Sequence, residues 1–182
     1  MRAITTALKY AKGLFDVAKQ RGKVKEFWDE LTAFREFIKE VPEAINVLQS
    51  PIYPPDLKLE ILDEIFKQIQ FDPEIEKFLR LLVERRRMHL FSEIVEMYRS
   101  LLDEELGILR GEVIAPIELS PEDVEEFKKV LHEKFGKEVH LDLRVDPSII
   151  GGLMIKIGDF VLDASFKRQL RVIQEIIEKG VL

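Results

Sequence analysis

Apolar residues in the first part of the chain recur at intervals of three and four, which is the spacing of one face of an α-helix. The first such segment extends from Ala3 to Ala18, and five more follow it, separated by turn signals such as Gly22 and Asp72-Pro73. The sixth segment ends near Gly107. Six helices joined by short loops predict a helical bundle.

The first helix carries more apolar positions than packing against one neighbour requires. One stripe consists of Ile4, Leu8, Ala11, Phe15 and Ala18, and a second stripe beside it consists of Ala3, Ala7, Tyr10 and Leu14. An apolar arc of this width predicts that the helix contacts two partners.

After Gly107 the spacing of apolar positions changes from 3.6 to 2, which indicates strands. The predicted elements are a strand over 111–116, a helix capped by Ser120 and stopped by Gly136, a half-buried strand over 139–145, a hairpin turning at Gly158-Asp159, and a final helix over 166–178. We therefore expect two domains, residues 1–107 and residues 108–182. The predicted fold class is mainly α: a six-helix amino-terminal bundle, then a small α+β domain with a mostly antiparallel sheet.

Composition restricts the possible functions. The chain has 182 residues, 46% hydrophobic and 34% charged, which suits one or two compact domains. The net charge of −6 is divided evenly, because residues 1–108 and residues 109–182 each sum to −3. Neither part resembles a polyanion binder. No apolar run reaches the roughly 20 residues of a spanning helix, so we expect membrane association only through a partner.

The residue types that usually carry chemistry do not form a recognisable site. Cysteine is absent, and His89, His132 and His140 lack the spacing of metal ligands on one helical face. Gly151-Gly152 precedes a predicted strand, whereas a phosphate-binding loop precedes a helix. We therefore expect no catalytic residue, metal or cofactor, and an enzyme is the weakest of the hypotheses.

The basic run Arg85-Arg86-Arg87 allows a second hypothesis, a helical-bundle nucleic-acid-binding protein, because clustered arginines can contact phosphates. The acidic balance of the chain disfavours this function. Arginines at the end of a predicted helix also compensate the helix dipole, and we take that role as the better interpretation.

Two segments resemble a known family. Residues 143–165, with the sequence LRVDPSIIGGLMIKIGDFVLDAS, are similar to the signature of the ATP synthase delta subunit, the bacterial counterpart of the mitochondrial oligomycin-sensitivity-conferring protein. Near the other end, residues 10–15 resemble the Tyr-Ala-x-Ala-Leu-Phe element of that family, with Gly13 where alanine is more usual. The order of the two predicted domains agrees with the family over essentially the whole chain.

The resemblance implies a non-catalytic stator subunit of a rotary, proton-translocating ATP synthase. In the family, the amino-terminal bundle holds amino-terminal helices of the alpha subunits of the catalytic head, and the carboxyl-terminal part holds the peripheral-stalk b subunits. The family's groove lies between the first and fifth helices. Its expected residues in this chain are Ala7, Tyr10, Leu14, Leu81 and Arg85.

The resemblance also implies a location and a role for the signature residues. The expected location is the cytoplasmic face of the bacterial inner membrane, where the protein would be peripheral. From the residues themselves we expect no bound nucleic acid, because of the acidic charge balance, and a monomer when isolated, because no self-complementary seam is recognisable. We interpret the signature glycines and acids as turn-forming first and stalk-contacting second. They are Gly151, Gly152, Gly158, Asp159 and Asp163.

Overall fold

The chain forms two compact units, Met1–Leu102 and Asp103–Leu182, in a computed structural model that describes residues 2–149, 151–157 and 160–163.

The amino-terminal unit is a bundle of six α-helices, as the sequence predicts. They are α1 Arg2–Gln20, α2 Val24–Glu40, α3 Pro42–Gln49, α4 Pro55–Gln68, α5 Pro73–Glu84 and α6 Phe91–Leu106, with a 3₁₀ turn, Met88–Leu90, between the last two. Proline occupies the first turn of α3, α4 and α5. Its fixed φ suits that position, where the missing N–H has no helical partner.

One continuous apolar core joins these helices. Its largest fully buried side chains include Phe27, Phe34, Phe91 and Tyr98. The Phe34 ring packs edge-to-face on Phe91, with 5.2 Å between the ring centroids. The Tyr98 hydroxyl donates a 2.9 Å hydrogen bond to the Val24 carbonyl, which satisfies the one polar atom of that buried side chain.

The end of α5 contains an unusual backbone conformation. The Arg86 amide donates to the Val83 carbonyl and the Arg87 amide donates to the Leu82 carbonyl, the paired bonds of a Schellman motif. Arg86 therefore occupies the left-handed position, with φ of 55°, where glycine is usual. The first two arginines of the basic run, Arg85 and Arg86, form this helix end.

The carboxyl-terminal unit contains a four-stranded sheet with one helix in its described part. Its strands are β1 Ile108–Ala115, β2 Glu138–Val145, β3 Met154–Ile157 and β4 Phe160–Asp163, and the helix α7, Pro121–Phe135, connects β1 to β2. The strand order is β2-β1-β3-β4. β1 pairs with β2 in parallel, whereas the β1–β3 and β3–β4 pairs are antiparallel. The predicted α+β unit with a mostly antiparallel sheet is confirmed.

Local signals read from the sequence fix the two ends of α7 and the hairpin. The Ser120 side chain accepts from the Asp123 amide while the Asp123 carboxylate accepts from Ser120, a capping box. Gly136 ends the helix with φ of 65°. Ile157 pairs with Phe160, so two residues connect β3 to β4, as the hairpin prediction requires.

One expectation is wrong in detail. The alternation over 139–145 predicts a half-buried strand, but only Val139 is buried, whereas Leu143 is 50% and Val145 47% exposed. The reason is the position of β2 at the edge of the sheet: Leu143 is in register with Val113, which is fully buried between β2 and β3. The predicted final helix over 166–178 lies outside the described residues.

No helix in the described part of the chain has both the length and the apolar character needed to cross a membrane.

Candidate functional site

The two apolar stripes of α1 have different environments. Ala11, Phe15 and Ala18 of the first stripe are buried in the bundle core, but Ile4 and Leu8 of the same stripe are 58% and 43% exposed. In the second stripe Ala7 and Leu14 are buried, and the half-buried Tyr10 lies at the boundary between core and solvent. The surface beside Tyr10 is where an open groove lies.

This groove, which we call the α1–α5 groove, has a volume of about 280 Å³. It is lined by Lys9, Tyr10, Gly13, Leu14 and Val17 of α1 and by Glu74, Lys77, Phe78 and Leu81 of α5. Apolar side chains therefore form its floor, while charged side chains lie at its edges. An apolar strip with a charged margin is the surface that an amphipathic helix recognises.

Two residues determine the shape of the floor. Tyr10 packs edge-to-face on Phe78 across the groove, with ring centroids 6.4 Å apart. At Gly13 a Cβ atom would have no other atom within 4 Å, so the surface above this glycine is open. The absence of a side chain at Gly13 allows another helix to approach the backbone of α1 closely.

A cluster of charges centred on Asp72 joins the carboxyl-terminal end of α1 to the start of α5. The Asp72 side chain accepts from the Glu74 amide and so caps α5. Lys23 contacts the same carboxylate at 2.9 Å, and Arg21 contacts Glu74 at 2.8 Å. These bonds hold the two helices that form the walls of the groove at one end.

The environment of this cluster changes the pKa values of Asp72, Lys23 and Glu30. The hydrogen bond from the Glu74 amide, and then the one from Lys23, lower the pKa of Asp72. The bond to Asp72 raises the pKa of Lys23. Burial raises the pKa of Glu30, whose carboxylate accepts a 2.7 Å hydrogen bond from the Asp72 amide. Asp72 is therefore held as an anion by its neighbours.

The structure brings together three of the five residues expected in the groove: Tyr10, Leu14 and Leu81. Ala7 lies in the core with no exposed surface. Arg85 is exposed at the carboxyl-terminal end of α5 and does not line the groove.

Six lining residues were not found from the sequence: Lys9, Gly13, Val17, Glu74, Lys77 and Phe78. Gly13 was recognisable as a departure from the alanine of the family element, which is a signal that a side chain is missing at that point. Lys77 was not recognisable, because its position depends on how α1 and α5 pack.

Three of the five signature residues, Gly151, Gly152 and Asp163, lie in the described part of the chain. Gly151 and Gly152 adopt φ of 145° and 79°, backbone that favours glycine, directly before β3. Asp163 ends β4 and is in register with Met154. Gly158 and Asp159 lie outside the described residues.

Asp146 precedes this segment and closes a turn after β2. Its carboxylate accepts a 3.0 Å hydrogen bond from the Ser148 amide, and its own amide donates to the Ala115 carbonyl. The hydrogen bonds from Ser148 lower the pKa of Asp146. The Asp-Pro-Ser part of the signature thus has a structural role as a turn.

In the described part of the chain, no group of three or more histidine, aspartate or glutamate side chains is arranged to hold a metal ion. The apolar floor of the α1–α5 groove suits contact with an apolar helical surface.

Comparisons with known proteins relate this chain to a single family. The family model described as ATP synthase delta (OSCP) subunit matches residues 6–177. The chain is 36% identical to ATP synthase subunit delta of Desulfotalea psychrophila, over 98% of each chain, and 37% identical to that of Solidesulfovibrio magneticus, over 96% of each.

A solved structure has the same fold. The chain is similar to a chain of the Toxoplasma gondii mitochondrial ATP synthase hexamer, with a TM-score of 0.73 and 22% identity over 94% of this chain and 96% of that one. None of these comparisons supports the nucleic-acid-binding alternative.

Proposed function

Because this chain belongs to the ATP synthase delta (OSCP) subunit family, we propose that its α1–α5 groove receives the amino-terminal helix of an alpha subunit of the catalytic head. As a delta subunit it is a non-catalytic component of a membrane-associated ATP synthase. The carboxyl-terminal unit holds the b subunits of the peripheral stalk, at the cytoplasmic face of the inner membrane.

The mechanism of such a connector is mechanical. While the rotor turns inside the catalytic head, the head must be prevented from turning with it, so the stator transmits counter-torque without contacting nucleotide. A connector under load needs a complex that dissociates slowly. A helix buried in an apolar groove provides this, since interface energy concentrates in desolvated apolar and aromatic contacts such as those Tyr10 and Leu81 offer.

The observation that carries the proposal is an apolar strip between α1 and α5 that is open to solvent. Leu81 remains 37% exposed at its edge, although the neighbouring Leu82 is fully buried. Glu74 is already paired with Arg21 and Lys77, which leaves the charges at the groove edge net positive. We therefore expect the docked helix to place an acidic residue near Lys9 and apolar residues over Gly13.

The test uses Gly13→Leu, which adds a side chain to the groove at a position where a Cβ atom meets no atom within 4 Å. Calorimetric titration with a synthetic peptide of the alpha subunit's amino-terminal helix from the same organism is expected to show one-to-one binding to the unchanged chain. We expect Gly13→Leu to weaken this binding by about a hundredfold or more, because the helix can no longer reach the floor.

The matched control is Lys12→Leu, which adds the same side chain one residue away, at an exposed position that does not line the groove. It is expected to bind the peptide normally. Equal binding by the chain with Gly13→Leu, or absence of binding by the unchanged chain, would contradict the proposal. Circular dichroism of each variant verifies that the bundle is folded.

For the stalk, the apolar edge formed by Ile117, Leu143 and Val145 supports a contact surface in the carboxyl-terminal unit, since these side chains are 70%, 50% and 47% exposed. Leu143→Asp is expected to leave this unit folded, because Leu143 contributes little to the core. The same change is expected to weaken binding of a peptide from the carboxyl-terminal end of the b subunit. If the affinity for this peptide is unchanged, the apolar edge is not the surface that binds the stalk.

A further inference from the structure

A second cavity of the bundle, on the side of the α3–α4 connection, combines positive charge with an apolar wall. It has a volume of about 290 Å³ and is lined by Leu48, Gln49, Pro51, Tyr53, Pro55, Lys58, Val83, Arg86, Met88 and His89. None of these residues lines the α1–α5 groove. The proposed function gives this cavity no role.

Lys58 is the most unusual of these residues, because it is a lysine with only 6% of its surface exposed. Its ammonium donates a 2.6 Å hydrogen bond to the carbonyl of Ser50, the residue that ends α3. This bond uses one of three ammonium protons and no negative charge. Within the described part of the chain, no carboxylate forms a salt bridge with Lys58.

A second positive charge faces the same cavity. Arg86 lines it from the turn after α5, and no salt bridge of Arg86 is found among the described residues. Burial, and after it the nearby charge of Arg86, lowers the pKa of Lys58. Arg86 is exposed, whereas keeping the buried Lys58 charged beside this like charge is costly, and a bound anion would offset that cost.

Two features of the backbone also distinguish this cavity. Arg86 holds its place in the left-handed conformation, which is unfavourable for a residue with a side chain. The amino-terminal end of α4 also borders the cavity at Pro55, and Pro54 provides no side-chain cap there. Asp56, the acid of this first turn, is exposed and does not line the cavity. The positive end of a helix dipole therefore lies beside two cations.

We propose that this cavity is a binding site for a small doubly charged oxyanion, such as hydrogen phosphate, held by Lys58 and Arg86. Two fixed positive charges are neutralised by one dianion, and the His89 ring supplies a further polar group on the wall. The free ammonium protons of Lys58 and the fork of Arg86 donate to the oxygens, and Tyr53 and Pro51 also line the cavity.

The first test is a nuclear magnetic resonance titration of the intact chain with sodium phosphate, against sodium chloride at matched ionic strength. We expect saturable shifts at the Lys58 side chain and at the amides of residues 83–89, with a dissociation constant in the millimolar range. Sulfate, with the same charge, is expected to compete. Equal responses to phosphate and chloride would overturn the proposal.

Two variants separate anion binding from a purely structural role. Lys58→Met keeps the volume and removes the charge, and it is expected to weaken phosphate binding at least about tenfold, the loss of one charge-assisted contact. Arg86→Gly removes the other charge and also relieves the left-handed strain, so it should raise the melting temperature while abolishing the phosphate response. A variant that still binds phosphate as the unchanged chain does would refute the site.

Lys67→Met is the matched control. It removes a lysine from the same helix, at a position that lines neither cavity and pairs with Glu64 at 2.5 Å. Phosphate binding should be unaffected by this change. If Lys67→Met reduces the response as much as Lys58→Met does, the effect is a nonspecific one of net charge, and the site is wrong.

Discussion

In the part of the chain that the structure describes, the two units differ in how completely they bury their apolar side chains. All six helices of the bundle contribute to one core, and Phe34, Leu79 and Ile94 within it have no exposed surface. In the described part of the carboxyl-terminal unit the core cluster consists of Val113, Ile155 and Ile157, and α7 contributes no buried residue. The bundle therefore has a large core of its own, whereas a unit with open apolar edges gains stability when a partner covers them.

The same contrast is visible at two glycines. A Cβ atom at Gly13 of α1 would enter open space, whereas one at Gly111 of β1 would lie 3.0 Å from the Lys156 carbonyl oxygen and 3.0 Å from Ile157 Cγ1. The first glycine keeps a binding surface open. The second allows β3 and its side chains to approach the centre of the sheet.

The largest expected effect tests the difference in burial between the two units. Phe34→Ala should destabilise the bundle by about 3–5 kcal/mol, because it leaves a cavity among packed aromatic rings. Leu143→Ala in the carboxyl-terminal unit should cost less than about 0.5 kcal/mol, because half of its surface is exposed. Urea denaturation followed by circular dichroism measures both. Similar costs would show that the open edge contributes to the core after all.

The next effect concerns the sheet. Gly111→Ala should destabilise the carboxyl-terminal unit by about 1–3 kcal/mol, because the new methyl group meets a backbone oxygen that cannot move aside. Hydrogen exchange at the amides of β1 and β3 is the measurement, since it reports stability strand by strand. Gly136→Ala is not a suitable control, because its positive φ adds strain of its own. If the exchange rates of these amides are unchanged, β3 does not approach Gly111 as closely as the structure shows.

A smaller effect tests the charges that hold α1 to α5. Asp72→Ala should cost about 1–2 kcal/mol at neutral pH, through loss of the cap of α5 and of the Lys23 contact. The folded-state pKa of Asp72 is lowered, so its contribution is present above its unfolded pKa and is lost as pH falls through the folded value. The stability gap between the two chains should therefore narrow in acid.

Glu43→Ala provides the control for that measurement, because Glu43 is an exposed acid in the first turn of α3. It should change stability by less than about 0.5 kcal/mol with little dependence on pH. The stability difference between the unchanged chain and Asp72→Ala is the quantity to follow. If it stays constant down to pH values well below the usual pKa range of aspartate, the charge of Asp72 does not contribute to stability.

The sequence was sufficient for those features that depend on neighbours along the chain. Periodicity located the six helices, and Ser120 and Gly136 located the ends of α7, because capping is local. Periodicity could not show that Ala7 enters the core while Tyr10 remains at the surface, since both belong to one stripe and only the packing of α5 separates them.

The position of β2 at the edge of the sheet also could not be predicted from the sequence. Alternation places Leu143 on the same face as Val139, but whether a strand lies at the centre or the edge of a sheet depends on pairings between distant residues. Arg86 was predicted as a charge near a helix end. Its left-handed backbone and its place beside the buried Lys58 depend on the turn geometry and on α4, and neither is encoded in the basic run itself.

The smallest expected effect sharpens the contrast between the two glycines. Gly13→Ala should stabilise the bundle by about 0.5–1 kcal/mol, because alanine favours the helix and its methyl group meets no atom within 4 Å. Thermal denaturation should show a higher melting temperature, opposite in sign to the effect of Gly111→Ala. A methyl group adds little bulk to the groove, so the alpha-subunit peptide should still bind, unlike with Gly13→Leu. A loss of stability would mean that α1 needs glycine at this position for its own backbone, and the open floor would then not be the reason that the residue is there.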